Sequence, residues 1–441
     1  MSTDDVKTIE PLSGPLSGSC VVPGDKSISH RAVLFSAMAE GASRLSGVLD
    51  SSDVRASINA VRKLGAEVTL EKQPDGSLSG GVVGWGAKGP KQPDGPIYCA
   101  NSGTTARLLM GILAPWDIEV EITGDESLSR RPMRRITAPL MKMGVSFDPA
   151  GAETLPIVER GTRDLRAISY DSPMASAQLK TAVLLAGVYA NGITTVNEPS
   201  TSRNHTELML PEFGVETTAS ELSASVNGPA ALKSCEVVVP GDPSSAAFLI
   251  CAALLKKGSA IQIENVSLNT ARTGFFRTLE RMGADIEVHR TGSSGKEPFG
   301  VMSACYSGKL RGCEVPGSKI ASLVDEVPVL ALVAAFARGV TVFRDAGELR
   351  AKETDRLTAV RNGLAQLGVD SWIEGDDLFV EGNPDLEIPD GIVFDSLGDH
   401  RLAMTWSLVG LTGEKPVGIK NFSCVDVSYP DFLKDIERLV R

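Results

Sequence analysis

The sequence has only four histidines, at His30, His205, His289 and His400, and no two of them are near each other along the chain. That dispersal leaves no cluster with zinc-ligand spacing, and no metal is expected. The seven cysteines, Cys20, Cys99, Cys235, Cys251, Cys305, Cys313 and Cys424, are odd in number and include no Cys-x-x-Cys pair. A disulfide scaffold is therefore not expected, and a reduced cytoplasmic compartment fits best. There is no basic excess: 44 Lys and Arg face 55 Asp and Glu, a net charge of -11. This argues against nucleic acid as a partner. It leaves anionic small molecules open, because a few converging cations dominate a local field. The longest apolar run, Val327 to Ala337, is too short to span a bilayer, and no membrane association is expected. The segment Met1 to Pro11 is acidic and polar, unlike a secretory signal or an arginine-rich transit peptide. No G-x-x-x-x-G-K-[ST] occurs, and the glycines from Gly80 to Gly86 read as a loop rather than a dinucleotide fingerprint.

What the chain does have is repetition. With 441 residues, 42% of them hydrophobic, it has material for about two domains. A unit comprising a small-residue apolar helix, a β-rich stretch, an amphipathic helix and a closing glycine before a strand recurs six times, at intervals of roughly 65 to 85 residues. The apolar helices lie in KSISHRAVLFSAMAEG, SGTTARLLMGILA, SAQLKTAVLLAGVYANG, PSSAAFLICAALLKKG, VDEVPVLALVAAFARG and GDHRLAMTWSLVG. The alternation gives an α/β class, with three units in each of two domains. Val21-Val22-Pro23-Gly24-Asp25 and Val238-Val239-Pro240-Gly241-Asp242 are near-identical turn phrases, and crossings at both would pair residues 1–22 with the carboxy-terminal half. Plain loops before Asp caps would read the same way. Each apolar helix follows a Gly, Ser or Asp turn, and helix starts are natural anion sites.

Several segments carry charge at such starts. Lys26 opens the first helix, with Ser27 and Arg31 four residues apart on one face. Two cations and a hydroxyl there suit phosphate or carboxylate, unless the cations are simply solvated. Asn101-Ser102-Gly103-Thr104 is a turn whose glycine would let an anion approach the backbone, although N-capping accounts for it equally well. Of Arg130, Arg131, Arg134 and Arg135, one is expected to reach inward. Ser176-Ala177-Gln178 opens the third helix with two hydrogen-bonding side chains. Lys352 and Arg356 are read as like charges on one helical face, costing about 0.2–0.5 kcal/mol unless an anion or Glu353 and Asp355 offset it. Asp325, before the helix around Val329, is either an N-cap or a proton acceptor held ionised by cations. Asp399-His400-Arg401 opens the sixth helix in the same manner.

Taken in order, Gly24-Asp25-Lys26-Ser27-Ile28-Ser29-His30-Arg31, Asn101-Ser102-Gly103-Thr104, Arg131-Pro132-Met133, Lys352-Glu353-Thr354-Asp355-Arg356-Leu357 and Gly398-Asp399-His400-Arg401 resemble the signatures of the EPSP synthase family across essentially the whole chain. Ser172 to Gln178 and Arg203-Asn204-His205-Thr206-Glu207 resemble its bacterial class II branch. The resemblance implies an enolpyruvyl transferase fold: two inside-out α/β domains, residues 1–22 with 241–441 and residues 23–240, each of three β-α-β-α-β-β units, with the site in the cleft between them. It implies Lys26, Ser27, Arg31, Ser176, Gln178, Arg203, Asp325 and Lys352 as ligands of shikimate 3-phosphate. It implies Lys26, Gly103, Arg131, Gln178, Arg356 and Arg401 as ligands of phosphoenolpyruvate. Asp325, Glu353 and Lys26 would be catalytic, in an addition followed by an elimination, with neither metal nor organic cofactor and a monomeric enzyme. The herbicide glyphosate resembles phosphoenolpyruvate but is longer. In the family the position of Gly103 lies against that extra length, and tolerant class II members carry alanine there.

Departures from the class I pattern put single contacts in question. Val427 stands where class I has a lysine, before Ser428-Tyr429-Pro430, and Ala177 interrupts its Ser-Ser-Gln. The nearest rival is the UDP-N-acetylglucosamine enolpyruvyl transferase, whose first motif has Lys-Asn where Lys26-Ser27 stands and whose catalytic-loop cysteine has no clear counterpart here. A non-catalytic α/β repeat scaffold is the rival from another class; it would bind no phosphoenolpyruvate.

Overall fold

In a computed structural model the chain is described at residues 6–151 and 153–440; Met1–Asp5 of the acidic leader lie outside the described residues. The chain divides into two compact units. The amino-terminal unit comprises Pro23–Pro240 with Ser293–Glu297, and the carboxy-terminal unit comprises the chain up to Val22, Gly241–Gly292 and the chain from Pro298 on. The short segment Ser293–Glu297 goes with the amino-terminal unit, where Glu297 lies 2.5 Å from Nδ1 of His205.

Each repeat forms one small sheet and two helices. The second copy shows the unit whole. Strand Ile97–Tyr98 runs into helix Gly103–Leu113, strand Glu119–Thr123, helix Arg134–Met143, and strands Ser146–Asp148 and Ile157–Arg160. In the sheet the first strand pairs parallel to Glu119–Thr123, and the last two pair antiparallel. The third copy repeats this order around helix Ala177–Gly187, and the fifth around helix Val327–Ala335.

The first and fourth copies obtain their parallel edge strand from elsewhere. Strand Ser17–Val21 precedes helix Lys26–Met38 but pairs with Ala260–Ser267 in the carboxy-terminal unit. Strand Glu236–Val238 precedes helix Pro243–Leu255 but pairs with Ala42–Val48 in the amino-terminal unit. The phrases around Pro23 and Pro240 are thus where the chain passes from one unit to the other. The sixth sheet has three strands, with Val6–Ile9 pairing antiparallel to Val417–Lys420 in place of a closing β–β segment.

The six apolar helices form the interior. Helix Pro243–Leu255 is buried from Pro243 to Leu254, and Ile28 to Met38 are buried in their helix. A helix apolar all round belongs in a core rather than on a surface. The burial of Lys26–Met38 reaches even its charged positions: Arg31 is itself 3% exposed. Close helix approach explains Gly111, since a Cβ there would lie 2.2 Å from the backbone oxygen of Ala182 in helix Ala177–Gly187. Among the described residues no helix is long and apolar enough to cross a membrane.

Candidate functional site

Asp25 starts helix Lys26–Met38 by accepting a hydrogen bond from the Ile28 amide at 2.9 Å, which places Lys26 at the first helical position. Lys26 Nζ lies 3.1 Å from Asp53 and its side chain stays 18% exposed. One turn on, Arg31 turns inward: its Nε donates to Thr206 Oγ1 at 2.9 Å, one Nη to Thr181 Oγ1 at 2.8 Å and the other to the Ser27 carbonyl at 3.0 Å. Burial, only partly opposed by Glu207 and Asp25 and reinforced by the charge of Arg203, lowers its pKa to about 10, so it remains cationic at neutral pH. His30 beside it is held neutral by burial and by the charges of Lys26 and Arg31, with Nδ1 2.8 Å from Ser57 Oγ.

The second helix start is capped by Ser102 through the Thr105 amide at 3.2 Å. Gly103, which follows, is crowded by guanidinium groups: a Cβ would sit 2.9 Å from Arg107 Nη1 and 3.6 Å from Arg131 Nη1. Within the arginine cluster Arg131 reaches Asn101 and Ser127, donating to the Asn101 carbonyl, to Asn101 Oδ1 at 2.6 Å and to Ser127 Oγ at 3.2 Å, and Arg135 is likewise half-buried. Arg130 and Arg134 stay on the surface, paired with Glu126 and Glu153. Arg107, 4% exposed, donates to Gln178 Oε1 at 2.7 Å, and Gln178 Nε2 donates to Thr104 Oγ1 at 3.0 Å. The second and third helix starts are thereby tied together. Ser176 caps the third helix through the Leu179 amide, and its own amide donates to Glu198 at 2.8 Å. In the amino-terminal unit, therefore, Lys26, Ser27, Arg31, Gly103, Arg131, Ser176, Gln178 and Arg203 lie at or beside three helix starts and the loop 201–204.

The carboxy-terminal unit carries a different arrangement. Arg356, 1% exposed, donates from Nε to Asp399 at 2.7 Å, from Nη1 to Asp325 at 3.0 Å, and from Nη2 to Glu353 at 2.6 Å and Asp399 at 3.2 Å. Burial works against its charge, but Asp399, Glu353 and Asp325 more than offset that, and its pKa is raised. Arg401 Nε lies 3.7 Å from Asp325, and its Nη1 lies 3.7 Å from Glu326. Two expectations are corrected here. Asp325 does not cap the apolar helix; Glu326 occupies that position with no side-chain cap bond, and Asp325 is drawn to the arginines instead. Lys352 and Arg356 do not share a helical face. Asp355 caps a helix that begins at Arg356, and Lys352 lies before it in extended backbone, 2.7 Å from Glu348. Asp399 takes the N-cap position weighed for it, capping through the Arg401 amide at 2.9 Å, and also pairs with Arg356.

Sequence reasoning did not single out Arg107, Thr181, Lys180, Glu198 or Asp53. An arginine or lysine inside an otherwise apolar helix, as in GTTARLLMGIL and AQLKTAVLLAG, was the available signal.

Small-molecule chemistry on charged substrates, with cations at helix starts in one unit and arginine-bound carboxylates in the other, is what the folded residues equip this chain for. The same architecture occurs in the enolpyruvyl transferase NikO from Streptomyces tendae, with a TM-score of 0.78 at 20% identity over 98% of this chain and 97% of that one. The chain belongs to the EPSP synthase (3-phosphoshikimate 1-carboxyvinyltransferase) family, whose sequence pattern matches residues 11–436. An EPSP synthase from Acinetobacter baumannii superposes with a TM-score of 0.87 at 38% identity, covering 99% of this chain and 98% of that one. The 3-phosphoshikimate 1-carboxyvinyltransferase of Parvibaculum lavamentivorans is 44% identical, over 96% of this chain and 94% of its own. That of Bacillus pumilus is 41% identical, over 97% and 98%.

Proposed function

We propose that this enzyme transfers the enolpyruvyl group of phosphoenolpyruvate to the 5-hydroxyl of shikimate 3-phosphate, releasing phosphate. The observation that carries the chemistry is the placement of two carboxylates, Asp325 and Glu353, on one buried guanidinium, that of Arg356. The reaction needs a proton acceptor and a proton donor held in fixed positions. In the addition, the 5-hydroxyl gives its proton to Asp325 as its oxygen bonds to C2 of phosphoenolpyruvate, and C3 takes a proton from Glu353 or Lys26. In the elimination, the new methyl group gives up one proton and the C2–O bond to phosphate breaks. The products are the enol ether and phosphate, and no electrons change hands.

Lys26, Arg31, Arg131 and Arg203 supply the positive charge that two anionic substrates require. Arg356 enters as the group that fixes both carboxylates, a role its four carboxylate bonds support better than direct capture of phosphoenolpyruvate. Arg401, less fully paired at 3.7 Å, remains the phosphoenolpyruvate ligand in this unit. Thiol chemistry of the rival enolpyruvyl transferase finds no support. All seven thiols are pushed up, chiefly by burial, Cys20, Cys99 and Cys424 to about 12.

The test is phosphate release by purified protein. Release is expected only when shikimate 3-phosphate and phosphoenolpyruvate are both present, unaffected by a metal chelator and absent with UDP-N-acetylglucosamine as acceptor. Asp325→Asn should bind both substrates and turn over about 10²–10⁴-fold more slowly. Turnover of UDP-N-acetylglucosamine, or an Asp325→Asn variant of normal rate, would overturn the assignment.

A further inference from the structure

We infer that Glu198 is a positioning residue for shikimate 3-phosphate, holding Ser176 and the Arg203 loop in register. This rests on the substrate assignment just proposed. Glu198 follows strand Gly192–Asn197 and is 6% exposed, so its charge must be met by protein groups. It is met on both oxygens. Oε1 accepts the Ser176 amide at 2.8 Å, and Oε2 accepts Ser202 Oγ at 2.8 Å and Lys180 Nζ at 2.7 Å. Lys180, 4% exposed, reaches Glu207 Oε1 at 2.7 Å with the same ammonium.

One carboxylate therefore joins the start of helix Ala177–Gly187 to the loop before helix His205–Met209. Ser176 and Gln178 stand on the first of these segments. Arg203 adjoins Ser202 on the second, and Thr206, which bonds Arg31, follows close behind. None of the bonds to Glu198 uses the side-chain atoms proposed to meet substrate. Ser176 engages Glu198 through its backbone, leaving its hydroxyl to cap the helix. A group that fixes binding residues from behind governs how well a site is preorganised, and its loss loosens binding rather than removing a contact. The residues proposed to touch phosphoenolpyruvate are tied down by other bonds: Arg131 by Asn101 and Ser127, and Gln178 by Arg107 and Thr104. Loss of Glu198 should accordingly be felt by one substrate more than the other.

The experiment is steady-state kinetics of Glu198→Ala, Glu198→Gln and Ser202→Ala in the full chain. Glu198→Ala is expected to raise KM for shikimate 3-phosphate about 10- to 100-fold, the scale of losing hydrogen bonds to a charged group. KM for phosphoenolpyruvate and kcat at saturation should change by less than about threefold. Glu198→Gln keeps the acceptor for the Ser176 amide and should recover most of the lost affinity. Ser202→Ala cuts only the loop tether and should give a smaller rise in the same KM, which keeps the test decisive if Glu198→Ala does not fold. Equal changes in both KM values, a fall in kcat alone, or an unchanged KM in both Glu198→Gln and Ser202→Ala alongside a misfolded Glu198→Ala would overturn the positioning role. Wild-type protein inactive on shikimate 3-phosphate would instead refute the substrate assignment.

Discussion

Lys26→Met removes one ammonium from the start of helix Lys26–Met38 and keeps most of the side chain's bulk. If Lys26 meets both substrates, kcat should fall at least about 10²–10³-fold, the usual cost of a lost electrostatic donor. Lys26 pairs with Asp53 at 3.1 Å while 18% exposed, so the loss in stability should be on the order of 1 kcal/mol. Parallel kinetics and thermal melts check this, and near-normal turnover would refute the role. Gly103→Ala probes selectivity. The added methyl would press on Arg107 Nη1, 2.9 Å away, at the far end of a flexible side chain, so the protein should still fold. Glyphosate, longer than phosphoenolpyruvate, should inhibit wild type competitively and the variant at least about tenfold less well, with a smaller rise in KM for phosphoenolpyruvate. Equal inhibition of both proteins would remove Gly103 from the inhibitor's surroundings. Lys26, Glu353 and Arg401 were legible in the sequence because each sits in a compact charged motif. Glu198 was not, because it looks ordinary alone and its ion pair is made only by folding; Lys180 gave a signal, a lysine within an apolar helix, but not its partner.

Among the elements, helix Gly103–Leu113 depends on having no side chain at Gly111, because the obstruction is backbone, the Ala182 oxygen. Gly111→Val should therefore destabilise the fold by about 1–3 kcal/mol or more, read from the urea midpoint. Strand Ile157–Arg160 carries the other sensitive point. Glu159 is 1% exposed, neither of its oxygens has a hydrogen-bond partner among the described residues, and its cross-strand neighbours are Val120 and Phe147. Burial raises its pKa well above the ordinary glutamate value, so in the folded chain it holds its proton. Such a carboxyl binds its proton more tightly folded than unfolded. Stability is then fullest below the unfolded value of about 4.3 and declines as pH rises from there toward the raised folded value. Glu159→Gln cannot titrate. Its urea midpoint should exceed that of wild type at pH 8, with the gap closing near pH 4; a gap independent of pH would contradict this. The repeat was legible because the apolar helices have a strong pattern. The exchanged edge strands were harder to read: Glu236–Val238 is three residues long, too short for alternation to show, and its partner is set by tertiary pairing.

For the molecule as a whole, a net charge of -11 coexists with a chemistry of anions because charge is sorted locally. Cations gather at the helix starts of the amino-terminal unit, whereas in the carboxy-terminal unit carboxylates surround Arg356. Composition alone argued against a nucleic-acid binder but could not reveal that sorting, which depends on which copy of the repeat places which residue at its helix start. The central claim is enolpyruvyl transfer by addition and elimination. It is tested most directly by running the reaction in D₂O with shikimate 3-phosphate and phosphoenolpyruvate and taking the mass of the product. Protonation of C3 in the addition, followed by loss of any one of the three methyl hydrogens, predicts an enol ether of shikimate 3-phosphate with deuterium in its vinyl group. An enol ether formed without vinyl deuterium would contradict the mechanism, and no enol ether at all would contradict the function.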